Sequence, residues 1–174
     1  SGYGEIDVYI SRRLDDTWTN WTEPENLGPD INGEGDDVFF NIPPSGKYAY
    51  YARSDQNDPG DIHRIELPIF FQPAPVASVS GTTLLADSNT PVAARITYVL
   101  QPENTEIGFV MSDSVTGEYE ILLPVGSAYT YLAETAEMQP VQNTINLAEE
   151  TDFSEIRRDI TFTAKPGALL AGKS

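Results

Sequence analysis

Glycine and proline interrupt this chain every few residues, and that spacing constrains its fold more than any other feature. The 174 residues include 13 Gly and 13 Pro. Proline breaks the interior of a helix and glycine weakens it, so long helices have little room. Short strands joined by tight turns are therefore expected, and we predict an all-β chain.

A proline-rich stretch divides the chain into two predicted domains. The segment from Leu67 to Val76 contains three prolines, which deny hydrogen bonds to a sheet and favour a stiff, extended connection. We therefore predict one domain over residues 1–72 and a second over residues 73–164. Residues 165–174, which begin with Lys-Pro-Gly, are interpreted as a linker to a further domain.

The first predicted domain contains a sequence unit that recurs at a spacing of 54 residues. Glu5–Ile10 returns as Pro59–Arg64, which suggests a structural repeat. Between the two copies, apolar residues alternate from Val38 to Ile42, a Pro-Pro-Ser-Gly-Lys turn follows, and another alternating run begins at Tyr48. This pattern predicts a β-hairpin followed by a third strand.

The second predicted domain has the pattern of a seven-stranded β-sandwich. Short alternating runs recur at a spacing of roughly ten residues, which suits two facing sheets. In one run Ala94, Ile96, Tyr98 and Leu100 share a face, and the residues between them lie on the other. The seven runs are Val76–Leu85, Ala93–Leu100, Gly108–Ser112, Tyr119–Leu123, Ala128–Glu134, Asn143–Leu147 and Ile156–Ala164.

The charge balance disfavours two classes of partner. Lys and Arg total 10 against 27 Asp and Glu, for a formal net charge of -17. Nucleic acid and anionic membrane surfaces both need the opposite sign. The chain has no cysteine, which removes disulfides and thiol chemistry. No apolar run of about 18 residues occurs, so any membrane anchor or export signal is expected outside these residues.

Residues 3–68 carry the motifs of a known repeat. They resemble the WD-like repeat of TolB-type and OmpA-family envelope proteins. The resemblance implies a partial β-propeller, of about one and a half blades, in residues 1–72. One and a half blades would leave unpaired strand edges, so we expect this domain to pack on the sandwich or to associate with a second molecule. The matching motifs are Asp7–Ser11, Trp21–Gly28, Ile31–Asn32, Ser45–Ala52 and Gly60–Ile62.

Residues 76–164 resemble the carboxypeptidase-regulatory-like, transthyretin-related sandwich. A propeller repeat followed by this sandwich is similar to an arrangement in OmpA-family proteins, some of them associated with type IX secretion. The resemblance implies a location in the periplasm, at the outer membrane, and transfers no peptidoglycan-binding residues. The matching motifs are Val79–Thr82, Thr90–Ile96, Thr116–Tyr119 and Leu123–Tyr129.

Catalysis has little support in the sequence. A Ser-His-Asp site would have to use His63, the single histidine, and no Gly-x-Ser-x-Gly motif is present to expose a nucleophile. His63 occupies an aromatic position of a predicted strand, where we expect it to pack between strands. The chain is therefore predicted not to be an enzyme, and no cofactor is expected.

The acidic segment Ser54–Asp61 is the best metal candidate. Oxygen atoms of Asp55, Asn57, Asp58 and Asp61 could surround a calcium ion. The segment lacks the spacing and the distal Glu of an EF-hand, and its residues are more typical of a turn whose side chains accept backbone hydrogen bonds. We favour the turn and predict weak or no calcium binding.

Trp18 and Trp21 are the candidate ligand-stacking residues. Exposed aromatic side chains stack on sugar rings, but the core of a propeller uses the same residue types. We expect Trp21 to be a core residue together with Tyr48, Tyr50 and Tyr51. Trp18 lies close to two aspartates and is expected to be exposed.

The sequence favours a non-catalytic scaffold or protein-interaction region of a bacterial cell-envelope protein. Its expected partners are other envelope proteins, in an OmpA-like anchored assembly or in type IX secretion. Two alternatives stay open. One is a carbohydrate-binding or glycan-binding module, and the other is an accessory region of a larger hydrolase.

Overall fold

The regular elements that the structure describes are all β-strands. The computed structural model describes residues 2–54 and 60–165, and thirteen strands lie within these ranges. The predicted all-β class is therefore confirmed. Within the same ranges, no helix has the length and apolar character that a membrane span requires.

The strands are numbered here in chain order. They are β1 (Tyr9–Ile10), β2 (Glu25–Asn26), β3 (Asp36–Asn41), β4 (Tyr48–Ser54), β5 (Asp61–Glu66), β6 (Val76–Leu85), β7 (Arg95–Gln101), β8 (Thr105–Met111), β9 (Glu118–Pro124), β10 (Ala128–Glu134), β11 (Val141–Asn146), β12 (Ser154–Arg157) and β13 (Ile160–Phe162). They divide between two compact units, Ser1–Pro73 (unit 1) and Ala74–Ser174 (unit 2). The proline-rich stretch of the sequence contains this division.

Unit 1 contains two small antiparallel sheets. β3, β4 and β5 form a sheet in that order, and β1 pairs with β2. The pairing of β3 shifts register between Val38 and Asn41, and Phe39 in this interval has a φ of 57° and is 86% exposed. None of the described sheets closes into a ring, so the partial propeller stays a prediction.

A buried asparagine joins two segments of unit 1. The side-chain oxygen of Asn32 accepts a hydrogen bond from the Val8 amide at 2.8 Å. Its amide group donates to the Val8 carbonyl at 3.0 Å and to the Asn26 side chain at 2.8 Å. These bonds satisfy the side chain of Asn32, which is 1% exposed. They tie the loop after β2 to the residue that precedes β1. The apolar core beside it consists of Leu27, Ile31, Ala49, Leu67 and Phe71.

A buried ion pair links β3 to β4. The Asp37 side chain is 0% exposed, and the Arg53 side chain is 30% exposed. Arg53 Nε donates to Asp37 Oδ1 at 2.8 Å, and the Gly33 amide donates to Asp37 Oδ2 at 2.6 Å. The hydrogen bond with Asp37 raises the pKa of Arg53 above its ordinary value. The buried carboxylate thus has both the charge partner and the hydrogen bonds that it needs.

Unit 2 contains two four-stranded sheets. The first has the order β11-β10-β7-β8 and is antiparallel throughout. In the second, β6 pairs with β9 on one side in antiparallel fashion, and with β12 and β13 in parallel fashion on the other. Buried side chains from both sheets form one apolar cluster, which is the arrangement of a β-sandwich.

The alternation in β7 decides which residues enter that cluster. Ala94, Ile96 and Tyr98 are each at most 1% exposed, whereas Arg95 between them is exposed. Leu100, on the same face as Ile96, is partly buried and packs against the cluster. The predicted faces of this run are therefore confirmed.

The last predicted run, residues 156–164, is two strands in the structure. The break between β12 and β13 gives unit 2 eight described strands where the sequence predicted seven. Within the break, the Arg158 amide donates to the Ser80 carbonyl at 2.7 Å. Asp159 Oδ1 accepts from both the amide and the hydroxyl of Thr82 at 2.9 Å. The chain thus stays attached to β6 through the break.

Gly81 makes room for this break. A Cβ atom at Gly81 would lie 2.0 Å from the Arg158 carbonyl oxygen. The Tyr119 hydroxyl donates to the same oxygen at 2.5 Å. Burial raises the pKa of Tyr119 to about 12, so this hydroxyl keeps its proton at neutral pH and remains a donor.

Replacing Gly81 by alanine is expected to lower the free energy of unfolding of unit 2 by about 1–3 kcal/mol, because the added methyl group must push the chain at Arg158 away from β6. Urea unfolding followed by circular dichroism measures the change. Ser80→Ala adds no atoms to the same strand and serves as the control. An unchanged midpoint for Gly81→Ala would show that the break does not press on Gly81.

Candidate functional site

Both tryptophans lie in a hairpin formed by residues 11–22. Two backbone hydrogen bonds close it, from Leu14 to Asn20 at 2.9 Å and from Thr22 to Arg12 at 2.8 Å. The segment between these bonds forms the hairpin tip and has no regular strand structure.

Asp15 organises the hairpin tip. Its carboxylate accepts hydrogen bonds from the Thr17 amide at 2.9 Å, from the Thr17 hydroxyl at 2.5 Å and from the Asn20 side chain at 2.8 Å. These bonds lower the pKa of Asp15 below its ordinary value, and the bonds from the Thr17 and Asn20 side chains have the largest effect. The tip is therefore shaped by local polar contacts of the Asx-turn type.

Trp18 is displayed at this tip. It is 69% exposed, which confirms the expected exposure, and its φ of 60° is a left-handed conformation that bulky residues rarely adopt. The Trp21 indole nitrogen donates to the Trp18 carbonyl at 2.9 Å, and the Arg13 guanidinium lies 4.4 Å from the centre of the Trp18 ring. Trp21 thus holds the backbone of Trp18 and Arg13 contacts its ring, while much of the ring surface remains open.

The core prediction for the other aromatic residues is correct for Tyr51 and wrong for Trp21 and Tyr50. Tyr51 is 5% exposed, whereas Trp21 is 43% and Tyr50 is 39% exposed. The covered face of β4 carries Ala49 and Tyr51, and successive residues of a strand point to opposite faces. Tyr50 therefore lies on the open face of the sheet.

His63 lies in β5, opposite Tyr51 of β4. The two rings stack with their centres 5.3 Å apart and an angle of 24° between their planes. His63 thus packs against one neighbouring strand, and its expected packing between strands stays a prediction, because β5 is the end strand of its sheet among the described residues. The absence of enzymatic activity stays a prediction.

The calcium candidate lies mostly outside the described residues. Asp55, Asn57 and Asp58 are outside them, and Asp61 begins β5 with an exposed side chain. In residues 2–54 and 60–165, no three His, Cys, Asp or Glu side chains group closely enough to hold a metal ion. Weak or absent calcium binding at this segment stays a prediction. The predicted linker also lies outside the described residues beyond Lys165.

The structure reveals an exposed apolar strip on β8 that the sequence pattern did not single out. We define the strip as Ile107, Phe109 and Met111, which are 42%, 54% and 55% exposed. β8 lies at the edge of its sheet, with β7 as its partner among the described strands. The Arg95 guanidinium lies 3.9 Å from the centre of the Phe109 ring and pairs with Glu106 at 3.7 Å. The strip is therefore only partly covered.

The sequence contains one signal for this strip. Residues 107–111 read Ile-Gly-Phe-Val-Met, an apolar run without alternation. A strand with one face on a core and the other in solvent needs an apolar side chain only at every second position. The run therefore has more apolar residues than one covered face needs, and Phe109 and Met111 lie on the face that is turned away from the core of unit 2.

Comparisons with known proteins give low similarities. No protein-family model matches the chain, and no curated protein matches its sequence. Among solved structures, the Bacillus anthracis TIE protein has a TM-score of 0.44 at 14% identity, over 67% of this chain and 25% of its own. BcpA, the major pilin subunit of Bacillus cereus, has a TM-score of 0.42 at 12% identity, over 77% of this chain and 42% of its own.

The pilus 2b backbone protein of group B streptococcus has a TM-score of 0.41 at 9% identity, over 90% of this chain and 69% of its own. The chain thus spans 25% of the length of the TIE protein and 42% of the length of BcpA. These likenesses are too distant to carry a function to this chain.

Proposed function

We propose that this chain is a non-catalytic protein-interaction region of a bacterial cell-envelope protein. The apolar strip on β8 is the observation that carries the proposal. An edge strand has unpaired backbone groups that pair readily with another extended chain, and soluble proteins usually protect such edges with charges or bulges.

The protection of β8 is incomplete. Ile107 has no partner on β7, so the pairing is irregular at that point, and Arg95 covers part of Phe109. Phe109 and Met111 nevertheless remain more than half exposed, at 54% and 55%. A cluster of large apolar side chains left open beside a free strand edge is typical of a protein contact site.

The envelope location rests on the resemblance stated above. Residues 3–68 resemble TolB-type propeller repeats and residues 76–164 resemble the regulatory-like sandwich, in the order found in OmpA-family proteins. An OmpA-like anchored assembly or the type IX secretion machinery would supply partners for the strip. The net charge of -17 suits partners other than nucleic acid.

Site-specific photo-crosslinking tests this function. A photoreactive benzoylphenylalanine replaces Met111 in one variant and the exposed Thr144 of β11, on the opposite edge of the same sheet, in the control. In cell-envelope extracts of the producing bacterium, we expect position 111 to form a crosslink to a defined envelope protein that position 144 does not form. Equal products from both positions, or none from position 111, would contradict the proposal.

Sugar binding at the hairpin tip is a second candidate function, favoured by the geometry of Trp18. A bulky residue in the left-handed region costs about 1–3 kcal/mol, and such strain concentrates at functional sites. Here the strained residue is an aromatic ring with 69% exposure, whose backbone carbonyl accepts from the Trp21 indole and whose ring is contacted by the Arg13 guanidinium. Neutral sugars suit this ring better than anionic ones, because the chain is strongly acidic.

Trp18→Gly separates binding from folding at this site. Glycine adopts a positive φ readily, so we expect the thermal midpoint to stay the same or to rise while sugar binding is lost. The chain has only two tryptophans, both in this hairpin, so intrinsic fluorescence during titration with neutral oligosaccharides reports on the site. Identical titrations for Trp18→Gly and the unchanged protein, or no response in either, would reject sugar binding here.

A further inference from the structure

The free edge of β8 has the dimensions of a strand-binding site. β8 runs over seven residues from Thr105 to Met111, and it pairs with β7 along one side. No other described strand pairs with it. An added strand would gain backbone hydrogen bonds along this edge, and its alternate side chains would contact Phe109 and Met111.

The charges around the strip are predominantly acidic. Glu103 and Glu106 lie at the start of β8, and Asp113 lies just beyond its end, all three with exposed side chains. Arg95 contacts the strip and its guanidinium pairs with Glu106, so these two charges offset each other and Glu103 and Asp113 remain. Carboxylates thus stand at both ends of an apolar centre.

We propose that β8 binds an extended segment of another protein in which alternate residues are apolar and both ends carry Lys or Arg. The apolar residues contact the strip, and the basic ends meet Glu103 at one end and Asp113 at the other. This inference rests on the proposed interaction function and names the chemistry of the partner.

Charge complementarity argues against a second copy of this chain as the occupant. Antiparallel pairing of two β8 strands in full register would place Glu103, just before each strand, opposite Asp113, just beyond the end of the other. Like charges facing each other across a strand pair are destabilising. Each copy also has a net charge of -17, so the two would repel at low salt.

Binding of designed peptides to the purified chain tests the inference. The probe is a peptide of alternating Val and Thr flanked by lysines, labelled for fluorescence anisotropy. One comparison peptide has glutamates in place of the lysines, and another has a central proline that prevents strand pairing. We expect saturable binding of the lysine-flanked peptide that weakens as salt rises, with at least about tenfold weaker binding of either comparison peptide.

Variants of the chain locate the binding site. Phe109→Ser and Met111→Thr should each weaken binding of the lysine-flanked peptide by about tenfold or more, because they remove apolar contact area without disturbing the core. Both side chains are more than half exposed, so the circular dichroism spectrum and thermal midpoint should be unchanged. Asn143→Ala, on the opposite edge strand β11, is the matched control and should bind like the unchanged protein.

Three results would overturn the inference. They are equal binding of the lysine-flanked and glutamate-flanked peptides, no binding of the lysine-flanked peptide, and a concentration-dependent dimer that Phe109→Ser abolishes. If the lysine-flanked peptide does not bind while position 111 still crosslinks to an envelope protein, the proposed partner chemistry is wrong and the interaction function stands. If both experiments fail, both proposals are rejected.

Discussion

Replacing Ile96 by aspartate is expected to unfold unit 2. Ile96 is 0% exposed and lies between Val110 of β8 and Ala133 of β10, within the apolar cluster that both sheets share. An unpaired carboxylate in such a place costs several kcal/mol, against a total stability of about 5–15 kcal/mol for a domain. Loss of cooperative urea unfolding, and fast amide exchange in β7 and β10, would be the measured signs.

Thr97→Asp is the matched control for this change. It introduces the same charge one residue further along β7, on the opposite face, where the side chain is half-buried outside the core. We expect it to lower the free energy of unfolding by no more than about 1 kcal/mol. Similar losses in the two variants would mean that the faces of β7 are assigned wrongly.

Replacing Asp37 by asparagine is expected to lower the free energy of unfolding of unit 1 by about 3 kcal/mol. Both carboxylate oxygens of Asp37 accept a hydrogen bond, whereas the side-chain amide of asparagine has a single acceptor oxygen. The positive charge of Arg53 also loses its partner. The loss falls at the lower end for a broken buried pair, because the Arg53 side chain keeps 30% exposure. Both tryptophans lie in unit 1, so urea unfolding followed by tryptophan fluorescence reports this change.

An exposed pair in the same unit provides the comparison. Arg13 and Asp16 approach to 3.3 Å, and the Asp16 side chain is fully exposed at 102%. Water screens such a pair, so Asp16→Asn should leave the unfolding midpoint unchanged. A shift as large as that of Asp37→Asn would imply that burial does not distinguish the two pairs.

Local pattern was sufficient to predict most strands of unit 2. The runs Val76–Leu85 and Ala128–Glu134 coincide with β6 and β10, because alternation and flanking turn residues mark both ends. Residues 113–117, which read Asp-Ser-Val-Thr-Gly, have the composition of a turn, and Asp113 accepts hydrogen bonds from the Val115 and Thr116 amides there. The break between β12 and β13 was not predictable, because it depends on contact with Gly81, a residue far away in the sequence.

The candidate sites were predictable only in part. Trp18 could be expected at the surface because its neighbours are polar, and the structure adds the strained backbone and the Trp21 hydrogen bond that fix it. For β4 the sequence could not choose a covered face, since residues 48–51 read Tyr-Ala-Tyr-Tyr and both faces carry apolar groups. The pairing of β4 with its neighbours selected Ala49 and Tyr51 for the core of unit 1.

The sequence by itself determined the all-β class, most of the strands of unit 2 and the faces of β7, because side chains alternate with a period of two and turns have their own residue preferences. Only the tertiary structure decided which strands lie at sheet edges, since strand order depends on pairing between distant segments. Phe109 illustrates the difference. Its apolar run predicts cover on both faces, but the pairing of the adjacent Val110 with the buried Ile96 turns Phe109 to the outer face of the sheet, where the ring is 54% exposed.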